Sequence, residues 1–471
     1  MDYPDLVAMY AESRITPHYI RAYAILCLGY VAEFFDFFLV AYLLAVVRPI
    51  WHLTYGQSSI VLLAAGAGAI FGSLFSGALG DAFGRRKLLM FSMASCAIGA
   101  GGAVFLPDGA WLAFAALRFF VGVGLSGSAT TTTVMVVEIT PLRLRKALTG
   151  FPLTAASIGA VVASLSAATM IDRLGWRGVA AFGFFPFLLL ILVYFCVPES
   201  PLWLVSKGRF EEARSSFGTL MQRDVSALPV FVGGHDTQPP NSNLAELFAF
   251  PIRTLMVFIT WTALSTTNFG VYLWGPTVVS MMLNVTASAA AHYFLVVSIV
   301  ALIGRVVLSA LPVWISRRRL CAWSGFCIAV ALAGAGLYPR GYILGYPLFV
   351  VFVAFGAFFF DGIWVVISPY VVGIYPTRLA GRAIGVAQAG NGVGKIIGPL
   401  CLAVIAGTGQ LVTPTATTNA VTPAFLFMAG CALVFGLGFA FFLPEEGVDS
   451  DAAGNALEPE RAPARKRAPT S

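Results

Sequence analysis

The chain has 471 residues, 58% of them hydrophobic and 11% charged, with a formal net charge of +7. Soluble domains average about 25% charged residues, so these values exclude an ordinary soluble enzyme and indicate a membrane protein with many crossings. The positive charge lies in short segments between apolar runs, which removes the case for a nucleic-acid partner.

Residues 1–21 are polar, carry Asp2, Asp5, Glu12 and Arg14, and read as a cytoplasmic amino-terminal segment without a cleavable signal. Twelve apolar runs follow, at 22–46, 58–79, 88–106, 112–138, 148–170, 179–197, 254–283, 290–314, 320–338, 344–373, 383–407 and 422–443. Each is long enough for a membrane helix of about 20 residues. A polar stretch divides them six and six. The reading is therefore an all-α membrane protein with a first bundle over 22–198, a central cytoplasmic loop over 199–253 and a second bundle over 254–443. Residues 444–471, rich in Pro, Ala and charge, read as a disordered cytoplasmic tail.

Orientation follows from the basic residues. With the amino terminus in the cytoplasm, 22 of the 29 Lys and Arg fall in inside regions. Arg48, Arg173, Arg177 and Arg340 fall in outside loops, and Arg118, Arg305 and Lys395 inside spans. This is the positive-inside pattern, with both termini cytoplasmic. The seven cysteines lie in apolar runs without a close pair and read as inert buried thiols. No cluster has metal-ligand spacing and no loop is built to cradle phosphate, so neither a cofactor nor ATP-driven pumping is expected.

The two halves echo each other. Gly77-Ala78-Leu79-Gly80-Asp81-Ala82-Phe83-Gly84-Arg85-Arg86-Lys87 follows the second span, and Ser309–Arg319 follows the eighth. Glu138-Ile139-Thr140-Pro141-Leu142-Arg143 ends the fourth span, and Gly373-Ile374-Tyr375-Pro376-Thr377-Arg378 ends the tenth. Repeats at half the chain length mark a pseudo-symmetric transporter.

These segments resemble the major facilitator superfamily. Gly77–Lys87 matches its loop between spans two and three. The stretches Arg118–Gly124, Glu138-x-x-Pro141-x-x-x-Arg145, Pro198-Glu199-Ser200-Pro201-Leu202-Trp203-Leu204, Tyr375–Arg378 and Gly398-Pro399 look like the branch of sugar porters, organic-ion carriers and aromatic-acid/proton symporters. The resemblance implies two six-helix bundles around a central cavity, in an inner membrane, with a monomer as the default. It also implies gating by Asp81, Arg85 and Arg86 in the loop, and by Glu138 and Arg145 at the inner ends of spans four and five. The second copy has Val313 where the first has Asp81, so such a latch is asymmetric.

Ionisable groups at membrane depth cost about 2.5–3.5 kcal/mol each on the mildest scale and mark pathways. Here they are Glu33, Asp36, Arg118, Arg305, Asp361 and Lys395. Glu33 and Asp36 share a helix face one turn apart. At 1.5 Å per residue, Asp36 lies about 15 Å and Arg118 about 9 Å below the outer ends of their spans. The pair resembles the carboxylate and arginine of proton-coupled sugar porters, and Glu33-Phe34-Phe35-Asp36 resembles the acidic pair of aromatic-acid symporters with Phe in place of its small residue. Asp36, Glu33 and Arg118 are thus candidates for proton coupling. Lys395 is a candidate counter-ion for a substrate carboxylate, with Asp361 as the group that holds it in the empty state. Arg305 fits either that role or packing. Asn268, Tyr272 and Trp274 in the seventh span, and Gln388 and Asn391 beside Lys395, complete the candidate cavity.

The expected function is proton-coupled symport of a small organic anion, an aromatic or short-chain carboxylate. Span five and span seven hold no glutamine for sugar hydroxyls, and Arg118 and Lys395 favour an anion. Export of cationic or amphipathic compounds is the alternative within transport, resting on Glu33, Asp36 and Asp361. A membrane sensor is the alternative outside it, although the 28-residue tail is too short for a signalling domain.

Overall fold

The structure, a computed structural model, describes residues 15–141, 143–144, 148, 150–224, 244–343, 345–376 and 379–446. Arg145, Thr377, Arg378 and the stretch from 447 onward lie outside the described residues.

The first half contains α1 (Pro17–Trp51), α2 (Tyr55–Phe83), α3 (Arg85–Gly101), α4 (Trp111–Ile139), α5 (Phe151–Ala180) and α6 (Phe185–Cys196). The central segment carries α7 (Pro201–Ser206) and α8 (Phe210–Met221). The second half contains α9 (Pro251–Leu283), α10 (Ala287–Ala310), α11 (Arg317–Leu337), α12 (Leu348–Phe360), α13 (Trp364–Gly373), α14 (Ala380–Ala406) and α15 (Pro414–Leu437). Helix starts carry the expected chemistry. The Thr16 hydroxyl accepts from the Tyr19 amide, and Thr54 and Gln57 form a reciprocal capping box, which satisfies amides that lack partners within the helix.

Among the described residues, ten helical stretches are long and apolar enough to cross a membrane. One of them, Thr154–Cys196, is two crossings joined end to end. Gly175 breaks it with a φ of 65°, a left-handed backbone that glycine adopts without a Cβ clash. The seventh crossing is α9, where Ser265, Thr266, Thr267 and Asn268 dilute the apolar run. These make twelve crossings.

Four details depart from the sequence reading. The first helix runs on to Trp51 because the apolar run continues past Arg48, so that residue is helical and not in a loop. The tenth crossing is broken at Asp361–Ile363, between α12 and α13, and a two-residue hairpin, β1 (Tyr342–Ile343) with β2 (Tyr346–Pro347), precedes it. The central loop is partly helical. The start of the presumed tail is anchored: Tyr370 donates to the Pro444 carbonyl at 2.5 Å, and Glu446 pairs with Arg317 at 2.9 Å.

Packing repeats between the halves. In the first half α1 lies along α5 and α2 along α4; in the second, α9 lies along α14 and α10 along α12. Small residues permit this approach: a Cβ on Gly122 would strike the Ala65 carbonyl, and one on Gly304 the Phe358 carbonyl. The halves meet through α2 with α14 and α5 with α10, contacts that exchange under the pseudo-twofold.

The contacts between halves gather toward the end that the arginine pattern places outside. There Tyr55 N–H donates to Gln410 O at 2.9 Å, Gly56 N–H to Thr408 O at 2.9 Å, and Val412 N–H to Leu53 O at 3.4 Å. Deeper in, Gly66 of α2 abuts the Lys395 backbone and Gly392 abuts Ile70. The same helix faces continue inward without a partner. Gly385 and Gly381 of α14 have open space beside them, and Leu74 of α2 is 71% exposed. The halves are therefore closed at the outer end and parted at the inner one.

Candidate transport site

The site lies where α1, α4, α5, α9, α10, α12 and α14 converge. Its charged groups form three sets.

In the first set, Arg118 of α4 meets Asp36 of α1 at 3.2 Å, both side chains buried. Arg118 keeps two unpartnered nitrogens, Nε and one terminal nitrogen. Glu33, one turn along α1, is 5% exposed. Ser128 of α4 stands alongside it, yet neither carboxylate oxygen reaches hydrogen-bond geometry. A buried, unsatisfied carboxylate is unstable as an ion unless water, a proton or a ligand supplies the missing partner.

The second set is Lys395 of α14. Its ammonium lies 5.5 Å from the Phe37 ring centre and 5.2 Å from that of Phe269. The two rings, one from each half, pack edge to face at 5.2 Å. Cation–π contacts of this kind contribute about 0.5–2 kcal/mol. Among the described residues no carboxylate lies within ion-pair distance of Lys395. Glu33 is the carboxylate whose field reaches it. On the inner side of the same helix, Asn391 accepts from Ser265 at 2.9 Å and donates to Gln388 at 2.9 Å. Gln388 is exposed, so a polar track runs from the open inner end to Lys395.

The third set is Asp361, and here the expected pairing with Lys395 is corrected. Asp361 binds Arg305 at 2.9 Å and accepts from Ser157 at 2.6 Å. The reason is steric: Gly304 and Gly362 bring α10 and the break after α12 into backbone contact, which puts Arg305 beside Asp361. Asn268 donates to the Phe360 carbonyl at 3.5 Å. Tyr272 packs edge to face on Phe360 at 5.5 Å and against Phe38 at 4.7 Å, with its hydroxyl unpartnered.

Trp274 is not in this central group. Its indole N–H donates to the Pro399 carbonyl at 2.7 Å, and its ring lies 4.1 Å beneath the Arg48 guanidinium at the outer closure. Arg48 was missed by the sequence reading. The signal was the unbroken apolar run on both sides of it, Ala45–Val47 and Ile50–Trp51. Ser157 was missed as well, and nothing in its small-residue neighbourhood marks it.

The inner loop groups are joined within the first half. Asp81 pairs with Arg85 at 2.7 Å, and Arg85 approaches Glu138 at 3.8 Å. The Arg86 amide donates to Glu199 at 2.9 Å, and the Trp203 indole donates to the Asp81 carbonyl at 3.1 Å. In the second half Glu446 holds Arg317, the counterpart of Arg85. The carboxylate that the second half lacks at Val313, the counterpart of Asp81, is thus supplied from beyond the twelfth crossing.

Comparison with known proteins agrees with this architecture. The family model described as "Sugar (and other) transporter" matches residues 22–448. The niacin transporter NiaP of Acinetobacter baylyi is 24% identical over 399 residues, which cover 84% of this chain and 89% of that protein. The cis,cis-muconate transport protein of the same organism is 23% identical, covering 93% and 98%. Among solved structures, a D-xylose-proton symporter superposes with a TM-score of 0.72 at 18% identity, covering 91% of this chain and 98% of its own. The chain belongs to the sugar (and other) transporter family of the major facilitator superfamily, and is a multi-pass secondary transporter of small metabolites.

Proposed function

We propose that the protein is a proton-coupled symporter of a small organic anion, an aromatic or short-chain carboxylate. The observation that carries this reading is the unpaired Lys395 ammonium, held over Phe37 and Phe269, together with the unsatisfied Glu33 carboxylate, whose field reaches it. Asp36 and Asp361 are neutralised by Arg118 and Arg305, so Glu33 and Lys395 set the balance of the cavity. When Glu33 takes a proton, Lys395 loses its opposing charge, and a substrate carboxylate restores neutrality. Proton and anion are then bound together, because either alone leaves a net charge in a low-dielectric site. Asp36 with Arg118 is the second proton-accepting position. The two phenyl rings suit a flat substrate.

The relatives that carry niacin and cis,cis-muconate are consistent with a carboxylate cargo. A cation exporter would need an exposed acidic centre, whereas two of the three acids here are already paired with arginine. The arginine distribution supports an orientation with both termini in the cytoplasm, and the resembled superfamily supports an inner-membrane monomer. Asp81, Arg85, Arg86 and Glu138 act as the inner gate.

The test is reconstitution in liposomes with an internal pH dye. Nicotinate, cis,cis-muconate, benzoate, choline and xylose are offered in turn under an inward proton gradient. Proton influx stimulated by a carboxylate supports the reading. Influx only with xylose, or proton flux opposite to choline, replaces it.

A further inference from the structure

Arg48 sits outside the machinery described above and raises its own question. It is 1% exposed, near the outer end of α1. One terminal nitrogen donates to the Thr277 hydroxyl of α9, and the guanidinium stacks on Trp274. Its Nε and its other terminal nitrogen have no partner, and among the described residues no carboxylate pairs with it. A buried ion without a counter-charge carries a desolvation cost of several kcal/mol, which a cation–π contact of about 2 kcal/mol offsets in part.

Closing the outer end does not require this charge. Tyr55 already bonds to Thr417 at 2.6 Å, and three backbone bonds join the Leu53–Gly56 segment to Thr408–Val412. The guanidinium is also linked, through Trp274, to the helix that carries Lys395. Trp274 beneath it is tied to Pro399, which is one turn, about 6 Å along the axis, outward of Lys395.

We propose that Arg48 is an outer capture site for a carboxylate. When the halves part at the outer end, Arg48 leaves Trp274 and Thr277, and its free N–H donors take the anion before it passes inward to Lys395. A planar fork of this kind matches a carboxylate with two parallel hydrogen bonds. The inference rests on the anion reading above and adds a second, earlier binding position.

The experiment uses the full chain in right-side-out proteoliposomes. Phenylglyoxal is added outside, and modification of Arg48 is followed by peptide mass spectrometry with millimolar benzoate or neutral benzamide. Arg48 is expected to be modified over time, with benzoate slowing the reaction about tenfold, equivalent to about 1.4 kcal/mol, and benzamide leaving it unchanged. The protection is expected to persist in Lys395→Gln. Three results overturn the proposal: Arg48 never modified, equal protection by benzamide, or protection lost in Lys395→Gln, which would trace it to closure around the central site. If the anion reading alone is wrong, carboxylates drive no proton influx while benzoate still protects Arg48.

Discussion

Ser157 of the first half donates a 2.6 Å hydrogen bond to Asp361 of the second, and Arg305 holds the other oxygen of that carboxylate. The bond joins the halves near the level where they begin to part. It also ties the break in the tenth crossing to α5, adding a charge-assisted bond to the contacts that hold the halves in the arrangement closed at the outer end.

Ser157→Ala removes that tie and leaves the Arg305–Asp361 pair intact. A hydrogen bond to a charged group contributes about 1.5–3 kcal/mol, so the ratio of outward-open to outward-closed molecules should rise at least about tenfold. Spin labels at Gly109→Cys and Val285→Cys, on outer loops of opposite halves, report it as a longer distance component. An unchanged distance distribution removes Ser157 from the closure.

The twelve crossings were legible because hydropathy and arginine placement report the bilayer directly. So was the grouping of Asp36 with Arg118, since ionisable groups at membrane depth have few places to go. The partner of Asp361 is not legible, because Gly304 and Gly362 set the approach of two helices and no pattern in the chain ranks Arg305 above Lys395. Arg48 was misplaced by a charge rule that treats any arginine near the end of a span as wetted. The anchoring of Glu446 leaves no local pattern, because its partner, Arg317, lies 129 residues away.

Gly66 packs against Lys395, and a Cβ there would lie 3.0 Å from the Lys395 Cβ and 3.3 Å from its carbonyl oxygen. An Ala fits with a shift of a few tenths of an ångström, but a Leu does not. Gly66→Leu should wedge α2 from α14 at the outer closure and stop turnover without preventing insertion, since overpacking costs about 1–3 kcal/mol. Loss of uptake with a monodisperse protein and a longer outer distance is the expected result. Wild-type uptake would show that α2 and α14 tolerate separation there.

Asp108 in the outer loop accepts from the Trp51 indole at 3.0 Å and from Arg177 at 2.7 Å. The Trp51 bond, then the Arg177 bond, hold its carboxyl below the ordinary value of 3.8. A lowered carboxyl value means that the clasp is fully present above the ordinary value and is lost as pH falls through the lowered one. Hydrogen exchange of the loop around Pro107–Ala110 should keep its conformational protection from neutral pH down to the ordinary carboxylate range and lose it below. Asp108→Asn should remove that acid step. An acid step of the same size in the variant assigns it to another group.

Asp36 and Lys395 are separable by what each leaves behind. On the proposed carboxylate symport, Asp36→Asn keeps the shape of the pair with Arg118 but cannot take and release a proton, so exchange of a labelled carboxylate such as benzoate across the membrane should continue at near the wild-type rate. Uptake driven by a pH gradient should fall at least about tenfold. Lys395→Gln keeps the polar track of Gln388 and Asn391 but removes the cation, so exchange and gradient-driven uptake should fall together, with a KM raised about tenfold or more for the loss of a charge-assisted contact. Equal losses in both variants would mean that the two groups act as one unit. Gradient-driven uptake retained in Asp36→Asn would move the coupling to Glu33 alone, the one acid of the three that has no arginine beside it.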